Sequence, residues 1–559
     1  MRHFVSYFND SVKKHWNLPA VTNFGKQTYT YGQVAENIAK YHIIFKETGI
    51  KKGDKVALYA RNSAEWVIAY YATLTYGAVT VPFLPDFLPA AVAELSAFSE
   101  CRMLIADEYA INAFKADEAC YVKMEQTKGF AGVIDIKGFL PVRSADKNFE
   151  TACENIDRLF QAQYPSGMTP ADVNYYNDSF GMEDAVEISF TSGTTSATSK
   201  GVVLPARSLS ANLEFGFGID SNCAGRNVFA ILPMAHMFGQ AFDVIFPLSS
   251  GCHLFVMPGK PTPARLIGGM GTVKPFFFLT VPLVIEKIFK SKVFPITRKY
   301  PAKLLLKIPL LDRIVLSKIR KSLLAAFGDS FTVGVIIGGA ALNREVEDLL
   351  KRMKFPYTVG YGMTECGPLI SYCDKDEYVK YSCGKEARPI QVRIDSANPR
   401  RVLGEIQVKG DAVMLGYYNN EEATKAAFTP DGWLRTGDMG IIDAKGNLFI
   451  KGRCKNMILT ASGQNIYPEE IEDKINNLPY VLESLVVGRK NALVALVVAD
   501  YDAGKKDGLS EEQIEKLVDT NVLALNSELA AYSKIGYTEI RKDPFEKTPK
   551  QSIRRFMYQ

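Results

Sequence analysis

The sequence predicts a multidomain α/β protein. It would have a large N-terminal body of layered α/β subdomains with a small β-barrel-like part, followed by a small, mobile α+β C-terminal domain. Three observations predict this. The 559-residue chain exceeds the roughly 250–300 residues that one hydrophobic core supports. Helical and strand periodicities alternate through the first half. After about Gly404 the strand signals become antiparallel, and a compact stretch of mixed helices and strands closes the sequence.

Taken in order, residues 32–48 carry the spacing of an amphipathic helix, 55–59 of a strand, 63–76 of a helix and 79–82 of a short strand. Such βαβ alternation predicts a parallel sheet covered by helices. Further strands are expected at 228–232, 253–257, 276–279, 333–337 and 357–359. Residues 404–410 and 448–452 alternate like antiparallel strands, the latter after a turn at 443–447. A helix at 471–478, strands at 484–488 and 492–500 and a helix at 510–530 complete the chain. A boundary near 452–455 predicts an N-terminal domain over 1–452 and a C-terminal cap over 453–559, both then joined by one short linker.

Composition narrows the functional classes. An apolar fraction of 47% and a charged fraction of 23% fit a soluble globular protein. The net charge of +5, without a basic stripe interleaved with aromatics, argues against nucleic-acid binding. The nine cysteines are scattered without a C-x-x-C pair, which disfavours structural zinc. Their odd number and the absence of a secretory signal predict a cytoplasmic setting. The longest apolar run, 276–285, falls short of the ~18 residues a bilayer span needs. One segment departs from this even balance. Residues 286–321 hold eleven cations against Glu286 and Asp312, interleaved with leucine and isoleucine. Either a solvated helical face or peripheral contact with the inner face of an anionic membrane accounts for it.

The chemistry is expected at Thr191 to Gly201, T-S-G-T-T-S-A-T-S-K-G, between two apolar runs. Gly193 lets the backbone bend. Main-chain N–H groups and the hydroxyls of Thr191, Ser192, Thr194 and Thr195 can then turn toward an oxyanion, and Lys200 adds a full charge. No glycine precedes Lys200 and no Ser or Thr follows it, so this is not a Walker loop. Further polar groups stand isolated in glycine-rich or apolar settings. Thr364 and Glu365 follow a strand in Y-G-M-T-E, where α/β sites gather and a carboxylate can ligate Mg²⁺ near phosphates. Asp438 is placed in a tight turn beside Gly437, with Arg453 as a salt-bridge partner or a ribose and phosphate ligand. His236 sits among bulky apolar residues in L-P-M-A-H-M-F-G.

In this order the segments T-S-G-T-T…K-G, L-P-M-A-H-M-F-G, G-G-A-A-L, Y-G-M-T-E, W-L-R-T-G-D, G-R-C-K-N and S-G-Q-N-I-Y-P-E-E-I-E resemble the adenylate-forming superfamily, most closely its long- and medium-chain fatty acyl-CoA synthetases. The resemblance runs from about Gly32 to Arg555. It implies that ATP and a carboxylic acid form an acyl-adenylate, from which the thiol of coenzyme A displaces AMP. Thr191, Ser192, Gly193, Thr194, Thr195 and Lys200 would hold the β- and γ-phosphates. Gly338, Gly339 and Ala340 would line the adenine and acyl side, Tyr361, beside Gly362, would stack on adenine, and Thr364 would contact the α-phosphate. Glu365 would hold Mg²⁺, and Asp438 would bind the ribose diol with support from Arg453. His236 would order the acid. Lys455 would be the hinge of the C-terminal domain, and the segment around Gly463 would line the pantetheine channel.

Two departures from the family pattern stand out. The phosphate loop carries Ser196 in place of a glycine, lacks a proline and has one extra residue before Lys200. In the tail, Ser552 occupies the position of the lysine that bridges carboxylate and α-phosphate, and Lys550 is the expected substitute. The apolar candidates Phe276, Phe277, Phe278, Met237 and Phe238 favour a fatty acid. An aryl acid, a carrier-protein thiol as acceptor, and a binder impaired in turnover by Ser552 remain as alternatives.

Overall fold

The structure is a computed structural model that describes residues 1–191, 199–259, 262–459, 465–489, 492–547 and 553–559. Its largest sheet has eight strands. Their order is Gly416–Tyr417, Gly201–Pro205, Ala185–Phe190, Val79–Phe83, Lys55–Tyr59, Cys101–Ala106, Gly132–Asp135 and Pro141–Ser144. The central strands are parallel. Parallel neighbours need a crossover, and helix Ala64–Tyr76 supplies it between Lys55–Tyr59 and Val79–Phe83. Ser63 caps that helix by accepting from the Trp66 amide, and Gly77 ends it in the left-handed conformation. Residues Ala64 to Thr75 are all buried, as expected for a helix apolar on every side. Val79–Phe83 is likewise buried throughout, as a parallel strand covered on both faces must be.

A second sheet orders Asn227–Ala230, His253–Val256, Pro19–Asn23 and Thr28–Thr30. A third, fully parallel, orders Phe277–Thr280, Gly334–Ile337 and Tyr357–Val359. Strands Gln391–Asp395, Gly404–Lys409, Leu434–Ile442 and Leu448–Arg453 form an antiparallel sheet with linear order. The β-barrel-like part is therefore an open sheet, and no closed barrel is present among the described residues. Asp438 is also placed differently from the sequence expectation. Gly437 and Asp438 lie inside strand Leu434–Ile442 rather than in a turn. Gly437, at φ +72°, absorbs an irregularity in the pairing with Gly404–Lys409.

From Ile458 onward the apolar side chains close their own cores. Val481–Arg489, Ala492–Ala499 and Ile535–Arg541 form one sheet, against which helices Pro468–Asn476 and Glu511–Ala524 pack. Helix Pro468–Asn476 starts three residues earlier than its periodicity suggests, because Pro468 suits the first helical position and Glu469 and Glu470 favour the N-terminal dipole. Helix Glu511–Ala524 begins with a capping box between Ser510 and Gln513. It stops before residue 530 because the Asn526 side chain exchanges hydrogen bonds with the backbone of Ile535, at 2.7 and 2.9 Å. No helix among the described residues is long and apolar enough to cross a membrane.

Candidate functional site

The strands Ala185–Phe190 and Gly201–Pro205 pair antiparallel and bring Phe190 opposite Gly201, so Thr191 and Lys200 bound the connection between them. Its base is closed by the Thr191 amide, which donates to the Lys200 carbonyl at 3.0 Å, and by the Thr191 hydroxyl, at 3.3 Å from the same oxygen. Ser192, Gly193, Thr194 and Thr195 lie outside the described residues, as do Gly463, Lys550 and Ser552.

The next connection was not visible in the sequence. Tyr417 lies on the edge strand beside Gly201–Pro205, opposite Val202. The Lys200 ammonium sits 4.6 Å from the centroid of its ring, within cation–π range. The Tyr417 hydroxyl donates to Glu365 Oε1 at 3.0 Å. Burial, reinforced by the Glu365 charge, raises the Tyr417 phenol far above its ordinary range, so it stays a donor. Lys200 and Glu365 are thus held at two ends of one aromatic side chain. Glu365 itself occupies a 3₁₀ turn, Thr364–Cys366, anchored where the Met414 amide donates to its carbonyl at 2.9 Å. Gly362 permits the approach of this turn, since a Cβ there would stand 2.2 Å from the Pro368 carbonyl oxygen.

Asp438 and Arg453 are direct cross-strand partners. Arg453 Nε meets Asp438 Oδ1 at 2.8 Å, and the Tyr361 hydroxyl donates to Oδ2 at 2.6 Å. Asp438 is buried, whereas the Arg453 side chain is 60% exposed. Burial pushes the Asp438 carboxyl above its ordinary range, against the opposing pull of Arg453 and the Tyr361 hydrogen bond. Ionising this carboxyl is therefore costly, and its two partners offset part of that cost.

Between these clusters lies a cavity of about 70 Å³. Its walls include Phe215, Met237, Phe238, Leu279 and Tyr372, and His236, Gly338, Gly339, Tyr361 and Thr364 also line it, Tyr361 being the residue whose hydroxyl donates to Asp438. Phe276, Phe277 and Phe278 do not line it. They are packed in the core, with Leu279 of the same strand reaching the cavity instead. Ala340 is exposed and outside the lining.

His236 is held by its own loop. Its Nδ1 accepts from the Phe238 amide at 3.3 Å, and its amide donates to the Pro233 carbonyl at 2.9 Å. Asn62 clamps the start of the loop, donating to the Leu232 carbonyl at 2.6 Å and accepting from the Met234 amide at 2.9 Å. Behind it, the Gln240 side-chain amide lies 2.9 and 3.1 Å from the two oxygens of the buried Glu187, and Tyr70 donates to Oε2 at 3.0 Å. Burial pushes the Glu187 carboxyl up to about 8. Lys455 is exposed in the 3₁₀ turn Cys454–Asn456, immediately after Arg453.

Glu365 is the candidate ligand for Mg²⁺. Its Oε1 takes the Tyr417 hydroxyl, and among the described residues no group of three or more His, Cys, Asp or Glu could hold a metal ion. One carboxylate held near the Lys200 ammonium suits Mg²⁺, which keeps water and other oxygen ligands around it.

Known proteins resemble this arrangement over nearly the full chain. Residues 8–418 match the AMP-binding enzyme family, and residues 455–558 match the AMP-binding enzyme C-terminal domain. The long-chain-fatty-acid–CoA ligase FadD15 of Mycobacterium bovis is 27% identical over 502 residues, covering 85% of this chain and 78% of that protein. The 4-coumarate–CoA ligase CCL1 of Humulus lupulus is 27% identical over 537 residues, covering 93% and 88%. The crystal structure of ATP-bound MatB from Rhodopseudomonas palustris superposes with a TM-score of 0.75 at 21% identity, covering 99% of this chain and 98% of that one. The chain belongs to the AMP-binding enzyme family.

Proposed function

We propose that this AMP-binding enzyme, an acid–thiol ligase, takes a fatty acid as its carboxylic acid and coenzyme A as its thiol. One observation carries the choice of acid. The cavity beside Thr364 and His236 is apolar, and no Arg, Lys, Asp or Glu is among its described lining residues. A second carboxylate or an ammonium group on the substrate would be buried there unpaired, at a cost of several kcal/mol.

In the first half-reaction a carboxylate oxygen attacks the α-phosphorus of ATP. The bond to the bridging oxygen breaks, and pyrophosphate leaves. The chemistry needs charge neutralisation and alignment rather than a strong base. Thr191, Ser192, Gly193, Thr194, Thr195 and Lys200 would grip the β- and γ-phosphates. Glu365, steadied by Tyr417, would hold Mg²⁺, which when bound neutralises developing charge on the phosphates. Thr364 would donate to the α-phosphate. Gly338, Gly339 and Ala340 would flank adenine, with Tyr361 against its face, and Asp438 with Arg453 would take the ribose hydroxyls. His236 would orient the acid at the mouth of the cavity.

In the second half-reaction the thiol of coenzyme A attacks the acyl carbonyl and AMP leaves. Rotation of a C-terminal domain, residues 453–559, about Lys455 would bring the segment around Gly463 to the acyl-adenylate. Helix Pro468–Asn476 and the Asn477 that follows it meet the larger body through polar contacts that include Asn343–Asn477 at 2.6 Å, Arg344–Asp473 at 3.4 Å and Lys451–Glu470 at 3.4 Å.

An aryl acid is the second reading, favoured by the aromatic wall of Phe215, Phe238, Phe242 and Tyr372 and by the 4-coumarate–CoA ligases among the relatives. A pyrophosphate-release assay over fatty acids of eight to eighteen carbons, 4-coumarate and benzoate, with and without coenzyme A, decides between them. Higher kcat/KM for any fatty acid than for both aryl acids is expected. The reverse order would overturn the fatty-acid reading.

A further inference from the structure

The unused feature of the molecule is its basic segment. Residues 286–321 carry eleven cations and two carboxylates, a net of +9, whereas the whole chain carries +5. The rest of the protein is therefore acidic, and the positive charge is concentrated in one crossover. That crossover connects the parallel strands Phe277–Thr280 and Gly334–Ile337, whose Leu279 and Ile336 both line the acid cavity.

Charge is only half of the pattern. From Arg298 to Val315 no residue is buried, although the stretch is rich in leucine and isoleucine. Ile296, Tyr300, Leu304, Ile308, Leu310 and Ile314 are between 41% and 77% exposed. A soluble surface scatters such side chains singly, and a contiguous run of them marks a contact. Helix Leu311–Ala326 shows how the run is oriented. Leu316, Ile319 and Leu323 are buried on one side, which leaves Leu311, Ile314, Lys318 and Lys321, three and four apart, on the opposite side. The outer face is thus an alternation of aliphatic groups and ammonium groups. Among the described residues, Arg298 is the one member of the eleven cations in an ion pair, with Glu345 at 2.8 Å.

We propose that this face, residues 296–321, docks on the surface of an anionic lipid bilayer. The aliphatic side chains would enter the headgroup–acyl boundary, and the lysines would reach back to lipid phosphates along their own stems. Charge complementarity selects this occupant. A second copy of the chain would bring the same +9 face against itself. A nucleic acid would satisfy the lysines but leave the exposed leucines and isoleucines without a partner, because phosphates and sugars offer them no apolar surface.

The test is co-sedimentation of the full chain with vesicles of phosphatidylcholine alone and with 30% phosphatidylglycerol. The wild type is expected to bind the anionic vesicles, with binding falling steeply from low salt to about 0.5 M. Removing one Lys or Arg costs about fivefold in partitioning. The quadruple variant K303E/K307E/R313E/K318E is therefore expected to lose at least about 100-fold. The apolar variant L304S/I308S/I314S is expected to bind anionic vesicles more weakly and to be released at lower salt. Circular dichroism and turnover of a water-soluble acid, unchanged in both variants, establish that they fold.

Equal binding to both vesicle types overturns the proposal, and so does wild-type-like binding by both variants. Binding of single-stranded RNA that displaces the vesicles, or a wild-type dimer that the quadruple variant dissolves, would replace it with another partner. Vesicle binding is measured without any acid, so its outcome is independent of whether the fatty-acid reading survives the acid panel.

Discussion

Replacing Asp438 with asparagine separates a ribose ligand from a structural salt bridge, because the two roles predict opposite balances of stability and affinity. Asp438 is 4% exposed, and burial raises its carboxyl above the ordinary range. Ionisation in the folded protein is therefore a cost, partly offset by Arg453 and Tyr361. In Asp438→Asn the amide oxygen still accepts from the Tyr361 hydroxyl, held at 2.6 Å in the parent. Arg453, 60% exposed on its side chain, returns to water. Solvent screens the exposed Arg453 end of the pair, which discounts it toward the ~0–1 kcal/mol of exposed pairs, and the desolvation cost of the Asp438 charge is removed as well, so folding stability is expected to change by about 1 kcal/mol or less. ATP affinity should respond far more. Two hydroxyls donating to a carboxylate gain ~1.5–3 kcal/mol each against ~0.5–1.5 kcal/mol for a neutral acceptor. An asparagine also presents one acceptor instead of two. A net loss of about 2 kcal/mol corresponds to about 30-fold in Kd. Calorimetric titration with ATP and urea unfolding measure the two quantities on one preparation. A variant destabilised by more than about 3 kcal/mol whose ATP affinity stays within twofold of the parent would refute the ribose role and leave a structural pair.

Four further outcomes are expected, three from the geometry and one from the sequence of the tail. Tyr417→Phe removes the hydrogen bond that steadies Glu365 but keeps the ring under Lys200, so kcat with saturating ATP should fall about tenfold and the Mg²⁺ concentration needed for half-maximal rate should rise; an unchanged Mg²⁺ dependence would count against the positioning role. Glu187, whose carboxyl ordinarily titrates near 4.5, is raised to about 8 by burial, so its contribution to stability is full below about pH 4.5 and is lost as pH rises through about 8. Glu187→Gln should match the parent in thermal midpoint at pH 5 and exceed it at pH 8.5, and parallel midpoint curves would show that Glu187 does not hold its proton. Phe238→Ala widens the cavity and is expected to shift the preferred acid toward longer chains by two or more carbons in the pyrophosphate-release assay, with no shift if the cavity is not the acyl site. Lys550→Ala should reduce acid-dependent ATP–pyrophosphate exchange at least 100-fold, and an unchanged rate would show that Lys550 does not supply the charge absent at Ser552.

The sequence made legible those groups whose chemistry admits few substitutes, together with the elements whose periodicity is strong. The strand Lys55–Tyr59 has the expected limits, and helices and strands around it fall within a few residues of their signals. Lys200, Glu365, Asp438 and Arg453 stood out because each is a charge set beside glycine or an apolar run. What stayed hidden is what holds them. Tyr417 bonds Glu365 across 52 positions, and Tyr70 bonds Glu187 across 117. Neither pair shares a helix face or a hairpin, so no local spacing could announce it. Asp438 shows the same limit in another form. Glycine beside a carboxylate reads as a turn, yet here a positive φ at Gly437 serves a strand irregularity and leaves Asp438 opposite Arg453.

The pocket repeats this lesson one residue at a time. A strand presents alternate side chains to opposite faces, and in the parallel sheet both faces are covered. Which of Phe276, Phe277, Phe278 and Leu279 meets the cavity is then decided by what packs on each face, not by hydrophobicity. Leu279 reaches it because the cavity lies near the C-terminal end of Phe277–Thr280, next to Ile336 of the neighbouring strand. The side chains that line the cavity are therefore fixed by sheet register and by the loop that Asn62 and His236 hold. On the proposed function, a change of acid preference is expected from substitutions in those walls, while Lys200, Glu365 and Asp438 stay the same.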